Sequence, residues 1–155
     1  MKGFIFTNFL DFVEKSNGLE MVDQMLGECD LASEGVYSAF NSYEFDELVT
    51  LLTYVSKKTD IAPQILLESF GRFVFPYLIG KHSYIIEKYS NAIDLIAGIE
   101  NHIHIEVKKL YEDAELPTFN VVDKKEDSLT IIYTSTRGLT YFAIGLMKDT
   151  LQFFK

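Results

Sequence analysis

Leu129-Thr130-Ile131-Ile132-Tyr133-Thr134-Ser135-Thr136-Arg137 is the stretch whose reading decides the fold. It is rich in β-branched and aromatic residues, and in a strand alternate side chains fall on opposite faces. Leu129, Ile131, Tyr133, Ser135 and Arg137 then share one face, which begins apolar and ends in two hydroxyls and a guanidinium. Just upstream, Thr118 to Val122 alternates weakly, and Asp123-Lys124-Lys125-Glu126-Asp127 reads as a charged turn. Thr118–Val122 and Ser128–Thr136 therefore predict a two-stranded antiparallel ribbon. A lone hairpin is marginal in water, so this one must pack on helices or gain further strands.

Ahead of Pro117 the apolar period is helical. Phe4–Lys15 carries Ile5, Phe9 and Phe12 at helical spacing, with a stop at Asn17-Gly18. Leu19–Leu26 predicts a second short helix, Val36–Phe40 an irregular segment, and Asp46–Lys57 an amphipathic helix through Leu48, Leu51, Leu52 and Val55. Pro63 suits a first helical turn, and that helix is expected to end near Val74, before Pro76. After a short element at Ile85–Tyr89, a long helix is expected from Asn91 to Tyr111, with Ile93, Ile96, Ile103, His104, Val107 and Leu110 on one stripe. Thr140–Phe154 returns to helical spacing. The predicted class is α+β: a predominantly helical N-terminal two thirds packed on a small antiparallel sheet with a C-terminal helix.

With no repeat, low-complexity tract or long linker, residues 1–155 read as one domain, long enough to bury about two thirds of its unfolded surface. The net charge of −9, from 14 Lys and Arg against 23 Asp and Glu, argues against nucleic acid or anionic membrane as a partner. Cys29 is the only cysteine, which excludes an intrachain disulfide or a cysteine-rich zinc cluster. Asn8, Asp11 and Glu14 interrupt the apolar opening too early for a signal peptide. No stretch approaches the roughly 20 apolar residues of a membrane span. The expectation is a cytoplasmic protein.

Two constellations bear on chemistry. His104 lies in Ile103-His104-Ile105-Glu106-Val107, with Glu100, Val107 and Lys108 as its helical neighbours. A core histidine with satisfied nitrogens fits this position, and so does a single axial ligand to heme iron, because a macrocycle supplies the other four nitrogens. His102, about 200° away around a regular helix, is expected in solvent. His82, His102 and His104 lack the carboxylates of a zinc or non-heme iron site. On the strand, Tyr133, Ser135 and Arg137 stand about 7 Å apart, a spacing that suits two separate carboxylates. An exposed strand end with a hydroxyl ladder fits the same residues. No nucleophile–base pair, phosphate loop or carboxylate dyad can be placed, so an enzyme is not expected.

Taken together, Met1-Lys2-Gly3 before an apolar helix, the run His104-Ile105-Glu106-Val107-Lys108-Lys109-Leu110-Tyr111, Pro117 thirteen residues after His104, and Tyr133-x-Ser135-x-Arg137 resemble the heme–nitric oxide/oxygen binding (H-NOX) family, standalone bacterial type. The resemblance covers essentially the whole chain. It implies heme b buried between the two parts of the fold, with His104 as proximal iron ligand. It also implies that Tyr133, Ser135 and Arg137 hold the propionates, that Ile5 and Pro117 pack against and distort the macrocycle, and that Phe9, Phe70, Phe142 and Leu146 line the distal gas pocket.

Oxygen-binding relatives resemble one another in a distal Tyr five residues after the motif Arg. That position here is Phe142, and Tyr141 is adjacent. Bound O₂ needs a hydrogen-bond donor more than NO or CO does. The resemblance therefore implies a nitric oxide sensor whose Fe–His bond weakens or breaks on NO binding. The resulting conformational change passes to a separate protein, a histidine kinase or a cyclic-di-GMP enzyme. An oxygen sensor using Tyr141 and a cofactor-free interaction domain are the alternatives. Family members usually continue past the helix ending near Lys155, which implies a truncated or a short member.

Overall fold

Why the first helix forms and stops is local. Phe6, Phe9, Phe12 and Val13 recur every three to four residues and are all buried on α1, Gly3–Asn17. Gly18 ends it at φ 89°, a conformation that side chains disfavour, so the expected stop lies where only glycine is comfortable. The structure is a computed structural model describing residues 1–155, and the chain groups into two compact units, Met1–Phe70 and Gly71–Lys155.

In the first unit α1 is followed by α2, Leu19–Glu28, and α3, Phe45–Thr59. Their cores are Val22 and Met25 on α2, and Leu48, Leu51, Leu52 and Val55 on α3. The connection through Val36–Phe40 is irregular, as expected. It is tied down by one buried carboxylate: Glu47 Oε2 accepts from Ser33 Oγ at 2.5 Å and from Tyr37 Oη at 2.8 Å. Burial, reinforced by that carboxylate, pushes the Tyr37 hydroxyl up to about 12.

The unit boundary falls inside α4, Pro63–Lys81. Here the expected stop before Pro76 is wrong: the helix runs through the proline. Pro76 and Arg72 are both exposed, so water can take the Arg72 carbonyl that the missing N–H leaves free. Val74 and Phe75 are meanwhile buried on the same turns, and their burial offsets the break.

The second unit continues with α5, Ser83–Ile86, and α6, Ala92–Ala97, whose N-terminus is capped by Asn91 Oδ1 accepting from the Asp94 N–H at 2.8 Å. A π-helical turn spans Ile99–Ile103, and α7 is His104–Leu110. The expected single helix over Asn91–Tyr111 is therefore broken. At the break, a Cβ on Gly98 would run into the Tyr89 hydroxyl, and the Ile103 N–H reaches back five residues to the Gly98 carbonyl at 3.2 Å. Leu110, expected on the buried stripe, is 55% exposed as the last residue of α7, while His104 and Val107 stay half-buried.

The ribbon forms as expected, from β1, Thr118–Lys124, and β2, Leu129–Thr134, paired antiparallel with Phe119 opposite Tyr133 and a register shift between Val121 and Asp123. The last helix, α8, is Thr140–Phe153. It packs so tightly on α4 that a Cβ on Gly71 would collide with the Phe142 carbonyl, and the Arg72 Nε donates to Asp149 Oδ1 at 2.7 Å across the same seam. No helix is long and apolar enough to cross a membrane.

Candidate functional site

Seven of the ten residues singled out from the sequence fall in the second unit: His104, Pro117, Tyr133, Ser135, Arg137, Phe142 and Leu146. Ile5, Phe9 and Phe70 belong to the first, where Phe9 and Phe70 are fully buried and meet edge to face at 5.2 Å.

His104 is the first residue of α7, directly after the π-helical turn. Only 13% of its side chain is accessible, and its Nδ1 is buried without a hydrogen bond. Glu100 Oε2 lies 3.4 Å from that nitrogen, close enough for attraction but longer than a normal hydrogen bond. The same oxygen accepts the Phe119 N–H at 3.0 Å, so the carboxylate is pinned to the start of β1. The Phe119 ring stands 5.6 Å from the imidazole and 5.3 Å from the Tyr133 ring, edge-on to both. Burial pushes the imidazole below the usual histidine range, and the Glu100 carboxylate only partly restores it. The ring is thus neutral near pH 7, the form that donates a lone pair to a metal.

His102 departs from expectation. Instead of facing solvent it pairs through Nδ1 with the Tyr89 hydroxyl at 2.7 Å, because the π turn rotates it away from the regular helical phase.

The expected strand over Ser128–Thr136 is shorter: β2 ends at Thr134, so Ser135 and Arg137 lie just past it at a bend, although accessibility still alternates. Leu129, Ile131, Tyr133, Ser135 and Arg137 are half-buried, and the residues between them are exposed. The Ser135 hydroxyl accepts the Arg137 N–H at 3.1 Å, a short local turn that sets the direction of the guanidinium. Arg137 Nη1 donates to the Glu115 carbonyl at 2.8 Å and Nη2 to Glu115 Oε2 at 2.5 Å. A carboxylate thus already sits on the guanidinium, in the two-pronged manner that Arg offers such groups. The Glu115 side chain is 75% exposed and that of Arg137 17%, so the pair is asymmetric: the cation is sheltered and its anion faces solvent. Pro117, half-buried, lies between Glu115 and β1.

On α8, Phe142 and Leu146 are half-buried one turn apart, whereas Tyr141 keeps 43% of its surface exposed.

The chemistry of the donor set is compatible with heme. No three His, Cys, Asp or Glu residues converge to hold a metal ion, so His104 has no protein co-ligands with which to share a bare metal. A neutral buried imidazole beside a strand edge carrying Tyr, Ser and Arg suits a metal that brings its own nitrogens and two carboxylates. Glu100, Glu115 and Phe119 escaped the sequence reading as working residues. Glu100 was visible only as a neighbour four residues before His104, and Phe119 joins the histidine only once the ribbon folds back on the helix.

The family model described as Haem-NO-binding matches residues 2–155. None of the curated proteins matches the chain. Among solved structures it is similar to the Fe(II) unliganded H-NOX protein from K. algicida, at 45% identity and a TM-score of 0.96, covering 99% of this chain and 83% of that one. The H-NOX protein from S. oneidensis in the Fe(II)NO state matches at 30% identity and a TM-score of 0.90, over 99% and 85% of the two chains. The H-NOX from Shewanella woodyi in the Fe(II)CO state matches at 34% identity and a TM-score of 0.84, over 99% and 81%. A family match running from Lys2 to Lys155, with structural likeness of this degree, means that the chain belongs to the H-NOX family of heme-based gas sensors.

Proposed function

We propose that this H-NOX chain senses nitric oxide through ferrous heme b, iron protoporphyrin IX, with His104 as the one protein ligand to iron and Tyr133, Ser135 and Arg137 at the propionates. The observation that carries the reading is the His104 imidazole: buried, with its Nδ1 unpartnered and no cluster of protein ligands around it. Heme held by these residues would supply an iron that binds a diatomic gas, and NO binding would loosen its tie to His104.

The chain's own residues do the rest. Arg137 exchanges the exposed Glu115 carboxylate for a propionate, with the Tyr133 and Ser135 hydroxyls adding shorter bonds. In the second unit Pro117 would press on the macrocycle and Phe142 and Leu146 would give the gas an apolar lining; the family resemblance assigns the same packing and lining roles to Ile5, Phe9 and Phe70 of the first unit. Selectivity follows from what that lining lacks. Phe142 offers no donor to the partial negative charge of bound O₂, and the hydroxyl-bearing neighbour Tyr141 is turned 100° away on the helix and is largely exposed. The π turn before His104 is a joint between α6 and α7, so a change at His104 moves α7 without carrying α6 with it. A separate cytoplasmic protein, a histidine kinase or a cyclic-di-GMP enzyme, reads that movement.

The test is the absorption of the reduced, heme-loaded chain before and after NO and in air. NO is expected to produce the spectrum that marks loss of the axial imidazole, and air is expected to oxidise the protein without a lasting oxygenated form. Phe142→Tyr is expected to gain that form. A stable oxygenated spectrum in the unaltered chain that vanishes in Tyr141→Phe would overturn the selectivity argument. Heme loading that is unchanged in His104→Gly would remove His104 as the ligand.

A further inference from the structure

Glu100 carries the inference. Its carboxylate oxygen does two things at once: it accepts the Phe119 N–H at 3.0 Å and lies 3.4 Å from the buried, unpartnered Nδ1 of His104. The Phe119 N–H points away from β2, so it is an edge group with no ladder partner, and Glu100 supplies one. A carboxylate fixed in this way is not a side chain waving in solvent. It is anchored on one side by the sheet and presented on the other to an imidazole nitrogen that lacks a partner. Closing the gap to hydrogen-bond range takes only about half an ångström.

We propose that Glu100 is a positioning residue for His104: its carboxylate accepts the Nδ1–H, fixes the tautomer that leaves Nε2 for iron, and makes the imidazole a stronger donor. The proposal rests on the heme reading above and deepens it. Ligand histidines gain basicity when the second ring nitrogen donates to a carboxylate, and loss of such a partner weakens metal binding about 10-fold or more. In a sensor whose signal depends on breaking the bond to His104, Glu100 sets how hard that bond is to break. It also ties the histidine to β1, because the oxygen that holds Nδ1 is the one that holds Phe119, whose ring touches Tyr133. One carboxylate thereby serves both the iron ligand and β1, the strand paired with the Tyr133-bearing β2.

The experiment uses the full chain, heme-loaded and reduced, as wild type, Glu100→Gln and Glu100→Leu. Gln keeps an acceptor for the Phe119 N–H but loses the negative charge. The Fe–His stretching band in resonance Raman is expected to move to lower frequency in Glu100→Gln and further in Glu100→Leu. Heme loss to an apo-globin scavenger is expected to accelerate about 10-fold. A Glu100→Gln protein that loads heme and keeps the wild-type band overturns the proposal.

A second arm needs no change at Glu100. In His104→Gly, free imidazole retains an N–H for Glu100, whereas 1-methylimidazole does not. Imidazole is expected to give the higher Fe–ligand frequency and the tighter rescue. Equal behaviour of the two ligands, after correction for their binding to heme in solution, also overturns the proposal. Failure of the heme reading itself looks different: His104→Gly would then bind heme as the unaltered chain does, with no response to either ligand.

Discussion

The two units use their aromatic and polar residues in opposite ways. In Met1–Phe70 the rings of Phe6, Phe9 and Phe70 are sealed, and the buried carboxylate of Glu47 is satisfied by Ser33 and Tyr37. In Gly71–Lys155 the comparable groups are left half-finished. His82 and His104 each keep a buried Nδ1 without a hydrogen bond, against the Tyr54 hydroxyl alone in the first unit, Arg137 holds an anion that is mostly in solvent, and the ribbon buries a single side chain, Phe119. Buried polar groups are normally paired, and the exception at His104, directly after a break in helical geometry, marks a place suited to a ligand. The first unit satisfies most of its aromatic and polar groups internally, and the second holds the imidazole, the hydroxyls and the guanidinium that can bind.

That contrast can be broken experimentally. The largest effect is expected from Leu51→Ala, which empties a fully buried position in the first unit. It should cost about 2–5 kcal/mol in denaturant unfolding yet leave the heme spectrum of the folded fraction unchanged. Next is Gly98→Ala, whose new methyl meets the Tyr89 hydroxyl. It should cost about 1–3 kcal/mol and, unlike Leu51→Ala, alter the heme spectrum, because it disturbs the joint that aims His104. Equal spectral effects from the two changes would erase the distinction between the units. Tyr37→Phe should cost about 1.5–3 kcal/mol at neutral pH by removing a hydrogen bond to the Glu47 carboxylate, again with no spectral change.

The smallest effects are in pH dependence, and they separate the units by sign. Burial, with some help from Lys81, lowers the His82 pKa below its reference value of 6.5. The unfolded chain therefore binds the proton first, and stability falls as pH drops below about 6.5, a limb that His82→Gln should flatten. Tyr37, raised to about 12 from 10.0, works the other way. The unfolded chain loses its proton first, so stability falls as pH rises from about 10 toward 12, and Tyr37→Phe should remove that limb. Unfolding midpoints measured across pH check both.

Much of this architecture was legible before any coordinates, for reasons that can be located. The glycine stop at Gly18 and the β2 alternation from Leu129 to Tyr133 depend on neighbours within a few residues, and both formed as read, while Ser135 and Arg137 fall at a bend past the end of β2. The misreadings share the opposite cause. Pro76 remains helical because its face is exposed and its neighbours Val74 and Phe75 are buried. The helix after Asn91 breaks because Tyr89 crowds Gly98 and binds His102, and no count at 3.6 residues per turn registers an inserted residue.

The same division applies to the site. The sequence by itself determined which side chains are available: one imidazole on an apolar segment, three donors on one strand face, and a Phe where a Tyr would have served oxygen. Side-chain chemistry and short-range spacing are properties of the covalent chain. Only the tertiary structure decided that Glu100 and Phe119 meet at His104, and that Glu115 occupies the Arg137 guanidinium. Phe119 and Arg137 lie nineteen and twenty-two residues from their carboxylate partners. Such contacts exist only after the ribbon folds back, which no local pattern encodes.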